Sequence, residues 1–271
     1  MSAAGQEFLK VAEKTAHRAG RMLADGRPDH LQVEYKGEIN LVTQMDKKCE
    51  AYIVDQLTTA FPQHAVIAEE GSAVNSAAEF RWYIDPLDGT TNYTHGLPIY
   101  CVSIALERAG DLVCGVIYDP CQEEMFTATK GGGCYLNGRQ MFVSLETELP
   151  RSLLVTGFPY DIRETTEDNL NNFAAFAKRA RAVRRLGSAA LDCCWTACGR
   201  FDGFWELKLS PWDLAAGVLM VREAGGLVTD LDGTPFDLHS GRILATNGKI
   251  HQQMIAVLMD SASRHFTHLD A

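Results

Sequence analysis

No stretch of this chain approaches the ~20 consecutive apolar residues that a bilayer crossing requires. Residues 1–26 are charged and amphipathic, without the continuous apolar run of an export signal. Basic charge is also scarce: 25 Lys and Arg stand against 35 Asp and Glu, a formal net charge of −10. Nucleic acid and anionic lipid select basic surfaces, so neither nucleic acid nor membrane is expected as a partner. The eight cysteines contain no C-x₂-C pair, and the eight histidines no H-x₃-H or H-E-x₂-H pattern, so the usual spacing of a zinc site is missing. Reduced, mostly buried thiols in a cytoplasmic protein are the expectation. Internal repeats and low-complexity segments are absent as well. What remains is an ordinary globular composition, 46% hydrophobic and 22% charged, on a chain of 271 residues, near the length at which one core divides into two subdomains.

The densest chemistry lies in Asp85-Pro86-Leu87-Asp88-Gly89-Thr90-Thr91. Two carboxylates flank a proline and a Gly-Thr-Thr run follows, where a helix can begin. The preceding Phe80-Arg81-Trp82-Tyr83-Ile84 reads as an aromatic, β-branched strand. Strand, sharp turn and helix start, with acids in the turn, bring together hard oxygen ligands for Mg²⁺ and unpaired backbone N–H groups for an anion.

The rest of the chain alternates legibly. Helical spacing covers 6–25 and 47–60, a short buried strand at 65–68 delivers Glu69-Glu70-Gly71, and strands at 99–107, 112–118 and 124–128 suggest an antiparallel meander. From 152 onward strands at 152–156, 182–186, 203–207, 227–230 and 242–246 alternate with helices at about 165–180, 187–198, 211–224 and 249–260. This predicts α+β layers in two subdomains, 1–145 and 146–271.

Acids fall at four element boundaries: Asp46, Glu69 and Glu70, Asp85 with Asp88, and Asp213. Carboxylates gathered in one place repel unless a cation lies among them. Each also has an ordinary reading. Asp213 can cap a helix started by Ser210-Pro211, Asp88 can serve a turn before Gly89, and the Glu69-Glu70 pair can be solvated. Arg179, Arg181, Arg184 and Arg185 read as a solvated basic face, and Gly131-Gly132-Gly133 as a turn.

Taken together, Glu69-Glu70-Gly71, Trp82 through Asn92, and Trp212-Asp213-Leu214-Ala215-Ala216-Gly217 with Glu223-Ala224-Gly225-Gly226 resemble the two signature motifs of the inositol monophosphatases. Val42-Thr43 with Asp46, Gly187-Ser188-Ala189-Ala190 and the bacterial-type Thr156-Gly157-Phe158-Pro159 extend the resemblance over about residues 6–260. It implies an αβαβα sandwich and a homodimer. It implies Mg²⁺, two or three ions per subunit, held by Glu70, Asp85, the Leu87 carbonyl, Asp88 and Asp213, with Thr90 in the first ion's shell. Asp46, Glu70 and the Thr90 hydroxyl are expected to activate water, and the amides of Gly89 and Thr90 to hold the phosphate. Glu206, seven residues before Asp213, and Ala189 are expected to contact the sugar. Lithium sensitivity is a further implication, and Lys36 is a candidate loop cation facing the acids. The expected substrate is a small phosphate ester, first myo-inositol monophosphate. Fructose 1,6-bisphosphate, histidinol phosphate, nucleotide phosphates and a regulatory protein-binding role are the alternatives.

Overall fold

The structure is a computed structural model and describes residues 3–26, 33–35, 41–71, 73–74 and 78–262. Lys36 and its loop lie outside these residues. Two long helices come first, α1 (Ala3–Asp25) and α2 (Gln44–Ala60), with a small antiparallel pair, β1 (Val33–Tyr35) and β2 (Leu41–Thr43), between them. Eight strands then form one sheet: β3 (Ala65–Ala68), β4 (Ala73–Val74), β5 (Phe80–Asp88), β6 (Cys101–Arg108), β7 (Asp111–Asp119), β8 (Glu124–Thr129), β9 (Gly133–Leu136) and β10 (Arg139–Gln140), in the order β10-β9-β8-β7-β6-β5-β3-β4. Helix α3 (Thr90–His95) follows β5 directly. A second sheet of five strands contains β11 (Leu153–Thr156), β12 (Ala182–Arg184), β13 (Gly203–Glu206), β14 (Leu227–Thr229) and β15 (Ile243–Thr246). Helices α4 (Leu170–Ala177), α5 (Ala189–Ala197), α6 (Pro211–Glu223) and α7 (His251–Ala262) complete the chain.

The layers run α1 and α2, the large sheet, α5 and α6, the small sheet, then α4 and α7, an α+β sandwich of the αβαβα kind. Helices α5 and α6 are the middle layer and carry almost no polar surface. Leu214 through Val221 are buried in an unbroken run, as a helix covered on both sides requires. One apolar core therefore joins the halves: Tyr83, Cys101 and Phe126 from the large sheet pack with Leu191, Leu214 and Phe204. A second core lies between α1, α2 and the large sheet around Trp82, Ile53 and Leu57. A third, around Trp205, Phe176 and Met254, closes the far side. Each of these large side chains contributes on the order of 1.5–3 kcal/mol by leaving water.

The meander appears as expected, with β6, β7 and β8 antiparallel in sequence order. Two details differ from the sequence reading. Helix α4 is only eight residues, Leu170–Ala177, because Asp161 through Thr165 form their own hydrogen-bonded turns before it. The acidic stretch after Ile84 is also not a sharp turn: β5 continues through Asp88. Its pairing with β6 places Asp85 opposite Ser103 and Asp88 opposite Cys101, so one extra residue is accommodated between them. In a regular strand, residues three apart face opposite sides. The bulge reverses that parity and turns both carboxylates toward the same cavity.

Candidate active site

The bulge of β5, the first turns of α3, α5 and α6, and the ends of β3, β11 and β13 meet around a cavity of about 300 Å³. Glu69, Asp85, Leu87, Asp88, Gly89 and Thr90 line it from the first half of the chain, and Gly157, Tyr160, Arg185, Ala189, Glu206 and Asp213 from the second.

Each acid is fixed by local geometry. Asp85 Oδ1 accepts the Leu87 amide at 2.9 Å, within its own bulge. Asp88 Oδ2 accepts the Ser188 hydroxyl at 2.6 Å and the Ala190 amide at 2.8 Å, both at the start of α5. Asp213 is the third residue of α6, and its Oδ2 accepts the Ser210 amide at 2.7 Å, half of a capping box. The helix-cap reading of Asp213 is therefore correct and so is its place at the site: one carboxylate oxygen caps the helix and the residue lines the cavity.

Thr90, the first residue of α3, is buried, and its hydroxyl lies 3.0 Å from the Leu87 carbonyl and 3.2 Å from Asp46 Oδ1. Both neighbours are acceptors, so the single hydroxyl proton serves one of them at a time. Asp46 comes from the first turn of α2 and is fully buried. Gly89 has φ +94°, and a Cβ there would meet the Ile99 carbonyl at 2.8 Å; only glycine turns the chain from the bulge into α3 without strain.

The acids raise one another. Burial pushes the Asp85 carboxyl up, and the charges of Glu69, Asp88 and Asp213 push it further. Burial also raises Asp88, against the lowering effect of Ser188 and the α5 amides. Asp213 is raised by burial and then by Asp88. Glu206, at the end of β13, is pushed up to about 8, by burial first and then by Asp213 and Asp88, with Arg185 opposing. Behind it Asp192 on α5 is buried and raised by burial and by Glu206, and its Oδ1 has no hydrogen-bond partner among the described residues.

This donor set fits hard divalent cations. Four carboxylates and the Leu87 carbonyl face one small space, and all are oxygen donors. Among the described residues no group of three His, Cys, Asp or Glu is already arranged around an ion position. Without counter-charge, mutual repulsion keeps ionised carboxylates from closing on one point.

The structure brings together Asp46, Asp85, Leu87, Asp88, Gly89, Thr90, Ala189, Glu206 and Asp213, all named from the sequence. It corrects one choice. Glu69, not Glu70, lines the cavity and raises Asp85. Strand β3 runs parallel to β5 with Ala68 beside Ile84, and the Glu69 amide donates to the Ile84 carbonyl at 3.2 Å. Strand β3 ends at Ala68, so Glu69 is the first residue past the strand end, next to the point where Asp85 follows Ile84 in β5. Glu70, one residue on, is not among the residues lining the cavity, and its amide donates to the Glu50 carboxylate at 2.7 Å. Adjacent identical residues carry no signal that separates them; the strand register does. Sequence reasoning also missed Tyr160, Ser188 and Asp192, and read Arg185 as part of a solvated face although it lines the cavity.

Residues 5–263 match the model of the inositol monophosphatase family. A protein of Synechocystis named inositol-1-monophosphatase is 44% identical over 255 residues, covering 93% of this chain and 89% of its own length. A protein of Escherichia coli K12 named Nus factor SuhB is 40% identical over 259 residues, covering 94% of this chain and 97% of its own. Among solved structures, an inositol monophosphatase from Anabaena superposes with a TM-score of 0.87 at 45% identity, over 94% of this chain and 96% of its own.

Proposed function

Because the chain belongs to the inositol monophosphatase family, whose members are phosphatases, we propose that it is a Mg²⁺-dependent phosphomonoesterase that hydrolyses myo-inositol monophosphate to inositol and phosphate. One observation carries the reading: Glu69, Asp85, Asp88 and Asp213 line the same small cavity as Glu206, so a cation-binding acid cluster adjoins a separate buried acceptor for an alcohol.

Glu69, Asp85, Asp88, Asp213 and the Leu87 carbonyl would hold two or three ions. Divalent cations held there would offset the carboxylates and would supply a lowered pKa for bound water and charge stabilisation for a departing alkoxide. The other roles belong to the chain. Asp46 accepts the Thr90 hydroxyl proton, which leaves the Thr90 oxygen lone pairs to accept from a water and orient it. The amides of Gly89 and Thr90, in a first turn without intrahelical partners, receive phosphate oxygens. Glu206 and the Ala189 backbone contact substrate hydroxyls. A buried group of this kind discriminates strongly, since a substrate without the hydroxyl leaves it unpaired. The reading extends to two subdomains, 1–145 and 146–271, closing on one site, to a homodimer, to inhibition by Li⁺, and to a cytoplasmic location. No described helix is long and apolar enough to cross a membrane, and all eight cysteines are free thiols.

Arg185 favours a second reading. A guanidinium on the cavity wall beside Glu206 could meet a second anionic group, as in fructose 1,6-bisphosphate. The name of the Escherichia coli relative adds a regulatory role as a third. A phosphate-release panel over inositol 1-phosphate, fructose 1,6-bisphosphate, histidinol phosphate and adenosine 3′,5′-bisphosphate, with Mg²⁺ and with EDTA, tests all three. Inositol 1-phosphate is expected to have the highest kcat/KM and EDTA to abolish release. Preference for the bisphosphate would replace the first reading with the second, and absence of release from every ester would leave the regulatory one.

A further inference from the structure

Tyr160 has no role in the chemistry above, yet it stands over the acids. The residue is 57% exposed, but its phenol end is turned into the cavity. There, burial and the charges of Glu69, Asp88, Asp213 and Asp85 raise the pKa of the phenol. A phenol, with an ordinary pKa of about 10, is an O–H donor at neutral pH. Among the described residues this hydroxyl has no hydrogen-bond partner. A neutral donor aimed at a space that takes cations and an anion, and bonded to none of the surrounding carboxylates, lacks only an acceptor inside the cavity.

The segment that carries it is held at both ends. At its start, Thr156 Oγ1 donates to the Trp205 carbonyl at 2.6 Å, and Asn169 Nδ2 donates to the Gly157 carbonyl at 2.7 Å. At its end, Lys208 Nζ donates to Asp161 Oδ2 at 2.6 Å and to Thr165 Oγ1 at 2.8 Å. Lys208 takes φ +59°, a left-handed conformation that is costly for a non-glycine residue. Between these anchors the Pro159 carbonyl accepts the Ile162 amide at 3.1 Å, and Phe158 packs on Phe173 with ring centres 5.7 Å apart. The arm is therefore tied by hydrogen bonds and ring packing on both sides of Tyr160.

We propose that Tyr160 is a substrate-contacting residue, its phenol donating a hydrogen bond to an oxygen of the bound phosphate ester from the wall built by the second half of the chain, and that Lys208 is its positioning residue, acting through Asp161. The inference rests on the phosphatase reading. Tyr160 adds a donor on the side of the cavity where Gly89 and Thr90 have none, and its ring covers the acids from bulk water.

Tyr160→Phe keeps the ring and removes only the donor. Its kcat/KM for the preferred ester is expected to fall about ten-fold, mainly through KM, as for loss of one hydrogen bond to a charged group. Lys208→Met is expected to lower kcat/KM in the same direction, and to add little further loss in the Tyr160→Phe background, because both act through one hydroxyl. A Tyr160→Phe enzyme within about two-fold of wild type, beside an inactive Asp88→Asn enzyme, would overturn the proposal and leave the phosphatase reading intact. Full additivity of the two substitutions would remove Lys208 from it. If the wild type releases phosphate from no ester, the phosphatase reading fails on its own. Calorimetric titration with inorganic phosphate and MgCl₂ then decides for Tyr160: weaker binding by Tyr160→Phe sustains the contact, and equal binding ends it.

Discussion

Ser188 and Asp88, one hundred residues apart in the chain, are joined by a 2.6 Å hydrogen bond that ties the start of α5 to the bulge of β5. The hydroxyl donates to the carboxylate oxygen that also receives the Ala190 amide, so contacts between distant parts of the chain oppose the rise that burial imposes on a cavity acid. The bond favours the ionised form of Asp88. Ser188→Ala therefore shifts the Asp88 pKa upward. The acid limb of the kcat/KM profile is expected to move to higher pH, with a loss of about ten-fold near its midpoint. A pH–rate profile unchanged on the acid side would separate Asp88 ionisation from activity.

The register of β3 against β5 distinguishes two neighbouring acids. Glu69→Gln removes a charge from the cavity and is expected to cost at least ~10²-fold in kcat, the scale of a major electrostatic stabiliser. Glu70→Gln, whose side chain is not on the cavity wall, is expected to stay within about two- to three-fold of wild type. Steady-state kinetics of the two variants under saturating Mg²⁺ make the comparison, and the reverse order would restore Glu70 to the site.

Gly157 is the residue against which Glu206 lies. A Cβ at this position would fall 1.9 Å from Glu206 Oε1, far inside contact distance. Gly157→Ala must displace the carboxylate. Glu206 is assigned to the alcohol and not to the phosphate, so the loss should depend on the alcohol. The KM for inositol 1-phosphate is expected to rise ~10-fold or more, while p-nitrophenyl phosphate, which has no hydroxyls to lose, changes much less. Equal losses on both esters would detach Glu206 from alcohol recognition.

The cation-free protein should lose stability as the pH rises. Asp85, Asp88, Asp213 and Glu206 all have carboxyls raised by burial in the folded state. A raised acid binds its proton more tightly folded than unfolded. Its stabilising contribution is complete below the unfolded value, ~4, and is lost as the pH rises through the folded one, about 8 for Glu206. In EDTA the Tm is expected to fall between pH ~5 and 8. Mg²⁺ should restore it, most at the alkaline end, where the carboxylates are charged and bind cations best. Differential scanning fluorimetry across that range, with and without Mg²⁺, measures both. A Tm in EDTA that rises over this window would contradict the repulsion among the acids.

Much of this molecule is legible along the chain, because the signals are local. The alternation of β6, β7 and β8, the Ser210-Pro211 helix start and the Gly89 break each depend on neighbours a few residues away. The acids announce themselves for the same reason, since carboxylates at element ends are visible wherever the elements are. The missed features depend on contacts between distant segments. Tyr160 reads as one more loop aromatic until the fold puts it on the cavity wall, beside Asp161, which Lys208 holds from just past the end of β13. Arg185 reads as surface charge until the cavity forms beside it, and Asp192 reads as a helix acid until α5 is covered on both sides.

The stretch from Asp85 to Thr91 shows the division most clearly. Residue chemistry alone fixes that it carries two hard oxygen ligands, a glycine that must adopt positive φ, and a helix start ready for an anion, because these properties belong to the side chains and to the backbone they permit. Residue order cannot fix which way the two acids point. In an unbroken strand Asp85 and Asp88 would face opposite sides; the pairing of β5 with Ser103 and Cys101 across a bulge puts them on one. Parallel pairing with β3 brings Glu69 rather than Glu70 to join them, and the packing of α5 and α6 against the sheet supplies Ser188 and Asp213. Composition provides the charges, and strand register and layer packing bring them close enough to need a cation.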